Sequence, residues 1–166
     1  MNWKIIVTIL LFVVLGFCCN GCDVNPISGE SRMNFISPEE EVEIGSKYAP
    51  EIEKEMGGRI NDPQLQSYID SVGQRIAAVS HKPNIKFSFA AVVDEQTNAF
   101  ALPGGYVFIT KGMLSKLSTE AQLAGILGHE ITHVVASHSA VSMSREIGIS
   151  VLLSAASATM NTPAGA

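Results

Sequence analysis

The stretch HEITH at residues 129–133 decides how the rest of this 166-residue chain is interpreted. It lies in a run from 121 to 136 whose apolar composition is compatible with an α-helix. Residues four apart on a helix lie about 40° apart around its axis, so His129 and His133 leave the same face. Glu130 projects about 100° from His129 and can reach a metal-bound water without being a ligand. This spacing predicts a zinc site with His129 and His133 as metal ligands and Glu130 as the general base.

The composition of this helix favours the metal interpretation over the plainer one, a solvated or core-satisfied histidine pair. Apolar side chains cover much of its circumference, which predicts a buried helix: Leu123, Ala124, Ile126, Leu127, Ile131, Val134 and Val135. Polar groups in a buried helix reduce stability unless they are paired or bind a metal. Gly125 and Gly128 each cost about 1 kcal/mol relative to alanine in a helix interior. We predict that they allow another element to approach closely near the metal.

The N-terminus has the layout of a secretory signal. A short start with Lys4 precedes the apolar stretch 5–17, and polar sequence follows Cys22. The stretch is shorter than the roughly 20 residues that a membrane-spanning helix needs, although an uncleaved anchor is the alternative. Gly21 before Cys22 fits a bacterial lipoprotein cleavage site, so we predict a signal peptide at 1–21 and lipidation of Cys22. Cleavage there would remove the other two cysteines, so no disulfide is expected.

Composition and charge indicate a globular protein without a nucleic-acid partner. The formal net charge is −5, from 11 Lys and Arg against 16 Asp and Glu, so no basic surface is predicted. The length allows one domain, and neither repeats nor low-complexity linkers occur. Turn-forming residues in 22–36 indicate a tether or extended arm, which leaves 37–166 as the folded domain.

Capping signals and periodicity divide this domain into helices, then short strands, then helices. Ser37 followed by Pro38 and Glu40 predicts a capping box and a helix that ends near Glu55. Asp62 opens a second helix, with apolar positions as far as Val79 at helical spacing. Strands are predicted at 86–93, 98–102 and 106–110, the helix with the HEITH stretch is predicted to be capped by Ser118, and a last helix is predicted at 146–159. This order predicts an α+β fold with a small, antiparallel-edged sheet.

Four blocks, in this order, carry a family resemblance: Glu39-Glu40-Glu41 with Ile44-Gly45, Asp62-Pro63, NAFALPGG at 98–105, and residues 120–138. The chain resembles the zinc metallopeptidase family that includes the CAAX prenyl endopeptidases and the heat-shock protease HtpX. More narrowly, it is similar to the exported bacterial lipoproteins of that family. The resemblance covers about residues 22–148, and the NAFALPGG block together with His-Glu-x-x-His is highly specific.

The resemblance implies a zincin-like (gluzincin) metalloprotease domain with one Zn²⁺ per chain. His129 and His133 match the family's zinc ligands, and Glu130 matches its general base. The strand beside the site is implied to pair with an extended substrate, because an open sheet edge offers unpaired N–H and C=O groups. A plain hairpin with a glycine turn is the alternative. The substrate-binding residues implied by the resemblance are Asn98, Ala99, Phe100, Gly104 and Gly105.

The same resemblance implies a zinc-dependent endopeptidase of the bacterial cell envelope. Its substrates would be misfolded or membrane-associated polypeptides, including outer-membrane proteins. A lipid on Cys22 would hold the domain on the periplasmic side of the inner or the outer membrane. Zinc would polarise the scissile carbonyl, and Glu130 would take a proton from the attacking water and pass it to the leaving amine.

One departure from the family pattern concerns the third zinc ligand. The family takes this ligand from a Glu on a later helix, in a Glu-x-x-x-Asp pattern, and no such pattern follows His133. Glu146 is the only acidic residue downstream of His133, and its spacing is too short for the family's geometry. We therefore expect the third ligand and the oxyanion donor in a continuation beyond Ala166. The alternative is a catalytically impaired, lipid-anchored chaperone or assembly factor that binds extended peptides at the sheet edge.

Two further histidines are not predicted to be ligands. His138 is five residues after His133, or about 140° around an unbroken helix, so it cannot chelate the same ion. The position that a metzincin pattern would require is Ser139. We predict for His138 a structural role or a hydrogen bond near the end of the helix, and for His81 a place on the surface.

Overall fold

The computed structural model describes residues 22–160, so the predicted signal peptide at 1–21 lies outside the described residues. The strands are β1 Cys22–Val24, β2 Ser31–Met33, β3 Ser88–Val92, β4 Ala99–Leu102 and β5 Tyr106–Thr110. The helices are α1 Pro38–Glu55, α2 Pro63–Ala77, α3 Lys111–Leu114, α4 Glu120–Val135 and α5 His138–Met160, and a 3₁₀ turn at Pro103–Gly105 joins β4 to β5. Within 22–160, no helix combines the length and the apolar character needed to cross a membrane.

The described residues form two compact units, of which the smaller contains 22–36 and 140–160. Here β1 and β2 pair as an antiparallel hairpin within 22–36, the segment predicted to be a tether or extended arm. The hairpin was missed because its strands are only three residues long and carry no clear alternation. The helix predicted at 146–159 is longer than expected, because α5 begins at His138.

The larger unit, Ser37–Ser139, is built around a three-stranded sheet with the order β3-β5-β4. β3 is parallel to β5, with Phe89 opposite Val107, and β4 is antiparallel to β5, with Phe100 opposite Phe108. β4 is therefore an edge strand in an antiparallel pair. The prediction of a mixed α and β fold with an antiparallel edge is confirmed.

Alternation along the strands places side chains on two faces of this sheet, each covered by helices. The face toward α2 and α4 contains Phe89, Ala91, Val107 and Ile109, packed against Ile69, Val72, Leu123, Leu127 and Ile131. The opposite face contains Ala90, Val92 and Phe108, packed against Ala49 of α1. Burial of this apolar surface on both faces fixes α4 against the sheet, beside the edge strand.

The helix starts follow the sequence signals closely. The Ser37 side chain accepts a hydrogen bond from the Glu40 amide at 3.2 Å, and the Ser37 amide donates to the Glu40 carboxylate at 2.7 Å. Hydrogen bonding to the Glu40 carboxyl from the Ser37 backbone amide, and secondarily from the Ser37 side chain, lowers the pKa of Glu40. The N-cap of α4 is Thr119 rather than Ser118, because the Thr119 hydroxyl accepts from the Gln122 amide at 3.2 Å. α2 ends at Ala77, so Val79 is exposed instead of joining the core.

The two edges of the sheet differ in how they are covered. On β3, the Ala91 carbonyl accepts from the Ile60 amide at 3.0 Å, and the Val93 amide beyond it donates to the Gly58 carbonyl at 3.0 Å. The Gln66 side chain adds two bonds to the Ala91 backbone, at 2.9 and 3.0 Å. On β4, no strand of the described chain pairs with the outer side. The open edge of the sheet is therefore the one beside α4.

Candidate metal centre

α4 brings the two predicted ligands together on one face. The Nε2 atoms of His129 and His133 lie 3.0 Å apart, with the rings edge to face. Two zinc bonds of about 2.05 Å at a tetrahedral angle would separate these atoms by about 3.3 Å. The pair therefore fits a shared zinc ion with only a small opening of the two rings.

His138 contacts His133 through the ring nitrogen that does not face His129. Its Nδ1 lies 2.7 Å from Nδ1 of His133. α4 ends at Val135, and Ser137 takes a positive φ of 48°, so the premise of an unbroken helix through His138 was wrong. The change of direction brings the His138 ring to His133, which agrees with the predicted hydrogen bond near the helix end. His133 thus has Nδ1 engaged by His138 and Nε2 turned toward His129.

Glu130 is buried beside the two imidazoles, on the side of α4 that faces the core. Burial raises the pKa of its carboxyl, and the electrostatic influence of His133, then of His129, acts in the opposite direction. A carboxylate with a raised pKa is a stronger base than an ordinary surface glutamate, and so is better matched to accepting a proton from water. This environment suits the role predicted for Glu130.

The described residues do not complete a three-ligand site. Among residues 22–160, no group of three or more His, Cys, Asp or Glu side chains converges to hold a metal ion. A catalytic zinc normally has three protein ligands and one open position. The donors that α4 supplies are two imidazoles with an adjacent carboxylate, and the third ligand stays a prediction.

A cleft of about 500 Å³ opens beside His129 and Glu130. Its lining comes from α4, from α3 and the residues after it, and from the start of β4: Gln122, Gly125, Ile126, Met113, Lys116, Leu117, Asn98 and Ala99. The structure thus brings Asn98 and Ala99, two of the predicted substrate-binding residues, to the candidate centre. We refer to this space as the α4 cleft.

The other three predicted substrate-binding residues lie away from the lining of the α4 cleft. The Phe100 ring stacks on Phe108, with centroids 5.3 Å apart, on the sheet face toward α1. Gly104 and Gly105 have positive φ values of 77° and 99° in the turn after β4. A Cβ on Gly104 would lie 2.7 Å from the Val42 Cα, so this turn packs tightly against α1.

The backbone of β4 presents hydrogen-bonding groups toward its open side. The Thr110 amide donates to the Asn98 carbonyl at 3.1 Å, which fixes which residues of β4 face β5. N–H and C=O groups alternate in direction along an antiparallel strand. Ala99 and Ala101 therefore turn their backbone groups outward, away from β5.

Several lining residues of the α4 cleft were not predicted from the sequence. Gly125 carried a usable signal, since it lies four residues before His129 and so on the same face of α4. Met113 and Leu117 carried none, because their place in the cleft depends on how α3 packs after β5. A second cavity, of about 850 Å³, is lined by the start of α1 and the 81–86 loop, including the exposed His81, and not by His129 or Glu130.

This geometry is that of the metallopeptidase class, in which one helix supplies two imidazoles and a carboxylate. The model of Peptidase family M48 matches residues 63–164, which is more than half of the chain. The chain belongs to this family.

Individual relatives agree with this assignment. The chain is 36% identical over 140 residues to the mitochondrial metalloendopeptidase OMA1 of Schizosaccharomyces pombe, covering 80% of this chain and 40% of that protein. It is 34% identical over 126 residues to the beta-barrel assembly-enhancing protease of Escherichia coli, covering 75% and 25%. A putative beta-barrel assembly-enhancing protease of Vibrio cholerae is 40% identical over 87 residues, covering 52% and 18%. The chain thus spans less than half the length of these curated relatives.

Proposed function

We propose that the full protein is a zinc-dependent endopeptidase of the bacterial cell envelope. His129 and His133 hold one Zn²⁺, and Glu130 is the general base. The observation that carries this proposal is the Nε2 pair, 3.0 Å apart, beside a buried carboxylate at the α4 cleft. Membership of a metallopeptidase family supports it.

Each part of the site has a role in this mechanism. Zinc, when bound, supplies Lewis-acid polarisation of the scissile carbonyl and lowers the pKa of water. Glu130 takes the proton of the attacking water on its carboxylate and delivers it to the leaving amine. His133 is oriented by His138, so that its Nε2 stays directed toward the metal.

The edge strand positions the substrate. The outward backbone groups of Ala99 and Ala101 pair with an extended polypeptide, as an added strand pairs with a sheet edge. Asn98 lies at the start of this edge and lines the α4 cleft. Because backbone pairing is independent of side-chain identity, it suits an enzyme that acts on unfolded segments of many sequences.

We further propose the domain layout and the compartment. Residues 1–21 are a lipoprotein signal peptide, Cys22 carries the lipid, 22–36 lead from the membrane, and 37–166 belong to the peptidase domain. The substrates are misfolded or membrane-associated envelope proteins, which the two bacterial relatives and the N-terminal sequence support. A downstream Glu supplies the third ligand, as the resemblance to the family implies.

The test is the Glu130→Gln substitution in the full-length protein, assayed on an unfolded protein substrate. Loss of the base should lower kcat by about 10²–10⁴-fold while zinc content stays the same, because both imidazoles remain. Glu51→Gln, at an exposed position of α1, is the matched control and should cleave like the wild type. Undiminished cleavage by the Glu130→Gln protein would show that another group activates the water.

A second candidate function is a lipid-anchored chaperone or assembly factor. It is favoured by the absence, within residues 22–160, of a group of three side chains that could hold a metal ion, together with the open edge of β4. Such a protein would suppress aggregation of an unfolded substrate without cleaving it. In that case the wild-type and Glu130→Gln proteins would be equally active in an aggregation assay, and neither would produce cleavage fragments.

A further inference from the structure

We propose that Gly125 keeps open a subsite in the α4 cleft that selects an apolar side chain of the substrate. The inference rests on the proposed peptidase function and deepens it by naming a specificity determinant. Gly125 precedes His129 by one helical turn and lines the same cleft. The occupant is therefore a residue next to the bond that the metal centre would cleave.

Neither backbone strain nor packing explains a glycine at this position. Gly125 is not among the residues with positive φ, and a Cβ added there would meet nothing within 4 Å. At Gly73, by contrast, a Cβ would lie 2.6 Å from the Phe89 ring, so α2 requires glycine for packing. The prediction that Gly125 allows another element to approach closely was wrong. A Cβ at Gly128 would meet Ile76 at 3.7 Å, which is ordinary contact, so a close approach does not explain that glycine either.

The open space above Gly125 is part of the α4 cleft. Glycine is among the least favourable residues in a helix interior, and Gly125 differs from Gly148, which also has open space around its Cβ position, because Gly125 lines the α4 cleft. Any larger side chain at this position would extend into the cleft, since no atoms of the described residues surround the site of its Cβ. The missing side chain thus contributes directly to the volume available beside His129.

The walls of this space determine which side chain it accepts. They are apolar and partly buried: Ala99, Met113, Leu117 and Ile126. The polar side chains of Lys116 and Gln122 belong to exposed residues at the rim. A charged substrate side chain would lose hydration against these apolar walls, and Glu130, the buried carboxylate that also lines the cleft, is assigned to the attacking water rather than to a substrate side chain. The chemistry fits a leucine, methionine or phenylalanine side chain.

The edge strand supplies the path by which such a side chain enters. Ala99 lines the α4 cleft with its side chain and turns its backbone groups to the open edge. A peptide paired with β4 has side chains that alternate between the two faces of the extended sheet. Every second side chain of the bound peptide therefore points to the face that carries α4, and one of them reaches the space over Gly125.

The experiment uses the full-length protein and a series of peptides that differ at one position flanking the scissile bond: Ala, Leu, Phe, Asp or Lys. The wild type should prefer Leu and Phe over Ala by about tenfold or more in kcat/KM, the scale of apolar pocket discrimination. Gly125→Leu fills the space and should lower this preference by about tenfold. The matched control is Gly148→Leu, because Gly148 is also a helical glycine whose added Cβ would meet nothing within 4 Å, and it should keep the wild-type ratio.

The outcomes separate this inference from the proposed function. Cleavage with no apolar preference, or with the same preference in Gly125→Leu, overturns the subsite and leaves the peptidase intact. Preference for Asp would assign selection to Lys116 at the rim and also overturns it. If no peptide is cleaved, the peptidase proposal fails. Binding of the Leu peptide, labelled with a fluorophore, then tests the subsite: weaker binding to Gly125→Leu than to the wild type supports it, and equal binding rejects it. The melting temperature and zinc content of each variant identify those that fail to fold.

Discussion

His133 is held on both sides by other imidazoles. Its Nδ1 lies 2.7 Å from His138, and its Nε2 lies 3.0 Å from Nε2 of His129. When a ring uses Nε2 for a metal, Nδ1 carries the proton and donates it, and here the acceptor is Nδ1 of His138. Such a partner fixes the tautomer and the orientation of the ligand before the metal arrives.

We expect His138→Ala to weaken zinc binding by the full-length protein about 10–100-fold, the usual effect of losing a group that supports a ligand. The ring of His133 would then be free to rotate, while both ligand nitrogens remain. His138→Asn, whose side-chain oxygen can accept the same hydrogen bond, should recover part of the affinity. Competition with a chromophoric chelator measures this directly, and an unchanged dissociation constant in both variants would contradict the role assigned to His138.

At the residue scale, the sequence predicts what helical geometry dictates. The approach of the His129 and His133 nitrogens follows from a four-residue spacing and needs no tertiary information. The position of His138 does not follow from spacing alone. It depends on a positive φ at Ser137, and serine rarely adopts a positive φ. That the Phe100 ring lies on the sheet face toward α1 was likewise not predictable, since the sequence does not tell which face of β4 meets α4.

Thr110 connects two of the elements that line the α4 cleft. Its buried hydroxyl accepts from the Asn98 amide and from the Met113 amide, both at 3.1 Å. The carbonyls of Gln96 and Asn98 also lie within hydrogen-bond distance of the hydroxyl, which can donate to one of them at a time. A single side chain thus fixes the start of β4 and the start of α3.

Thr110→Val should lower the free energy of unfolding by about 1–3 kcal/mol, because the replacement methyl leaves buried backbone groups without partners. Cleavage should fall as well, since the wall of the cleft would shift at Asn98 and Met113. Urea unfolding measures the change through the midpoint at constant slope. Thr132→Val, at an exposed position on α4, is the control and should stay within about 0.5 kcal/mol of the wild type. If both variants lost the same free energy of unfolding, the hydrogen bonds of the Thr110 hydroxyl would not stabilise the fold more than those of an exposed threonine.

At the element scale, local sequence signals predict where helices and strands begin and end better than they predict which strands pair. The start of α1 at Pro38 follows from its capping box, and β5 coincides with the predicted strand at 106–110. The sheet order does not follow, because β5 lies between β3 and β4 although it comes last in the chain. Pairing between distant segments depends on which helix covers which face, and periodicity does not carry that information.

At the scale of the whole molecule, one edge of the three-stranded sheet is covered and the other is open, and the candidate metal centre lies beside the open edge. The β3 edge is closed by the segment around Ile60 and by Gln66, whereas the β4 edge is open beside α4. The sequence contains both the metal helix and the edge strand, but only their packing makes them neighbours. The larger cavity of about 850 Å³ lies at the start of α1 and is not lined by either imidazole of the pair. The chemistry, rather than the size of a cavity, therefore identifies the site.

The central claim is that His129 and His133 together hold one zinc ion, and metal analysis of the purified full-length protein tests it most directly. The wild type and His81→Ala, in which an exposed loop histidine is removed, should each contain about one zinc per chain. His129→Ala and His133→Ala should lose nearly all of it, since two protein ligands or fewer cannot retain zinc through dialysis against a chelator. Zinc in His133→Ala at the wild-type stoichiometry would contradict the claim.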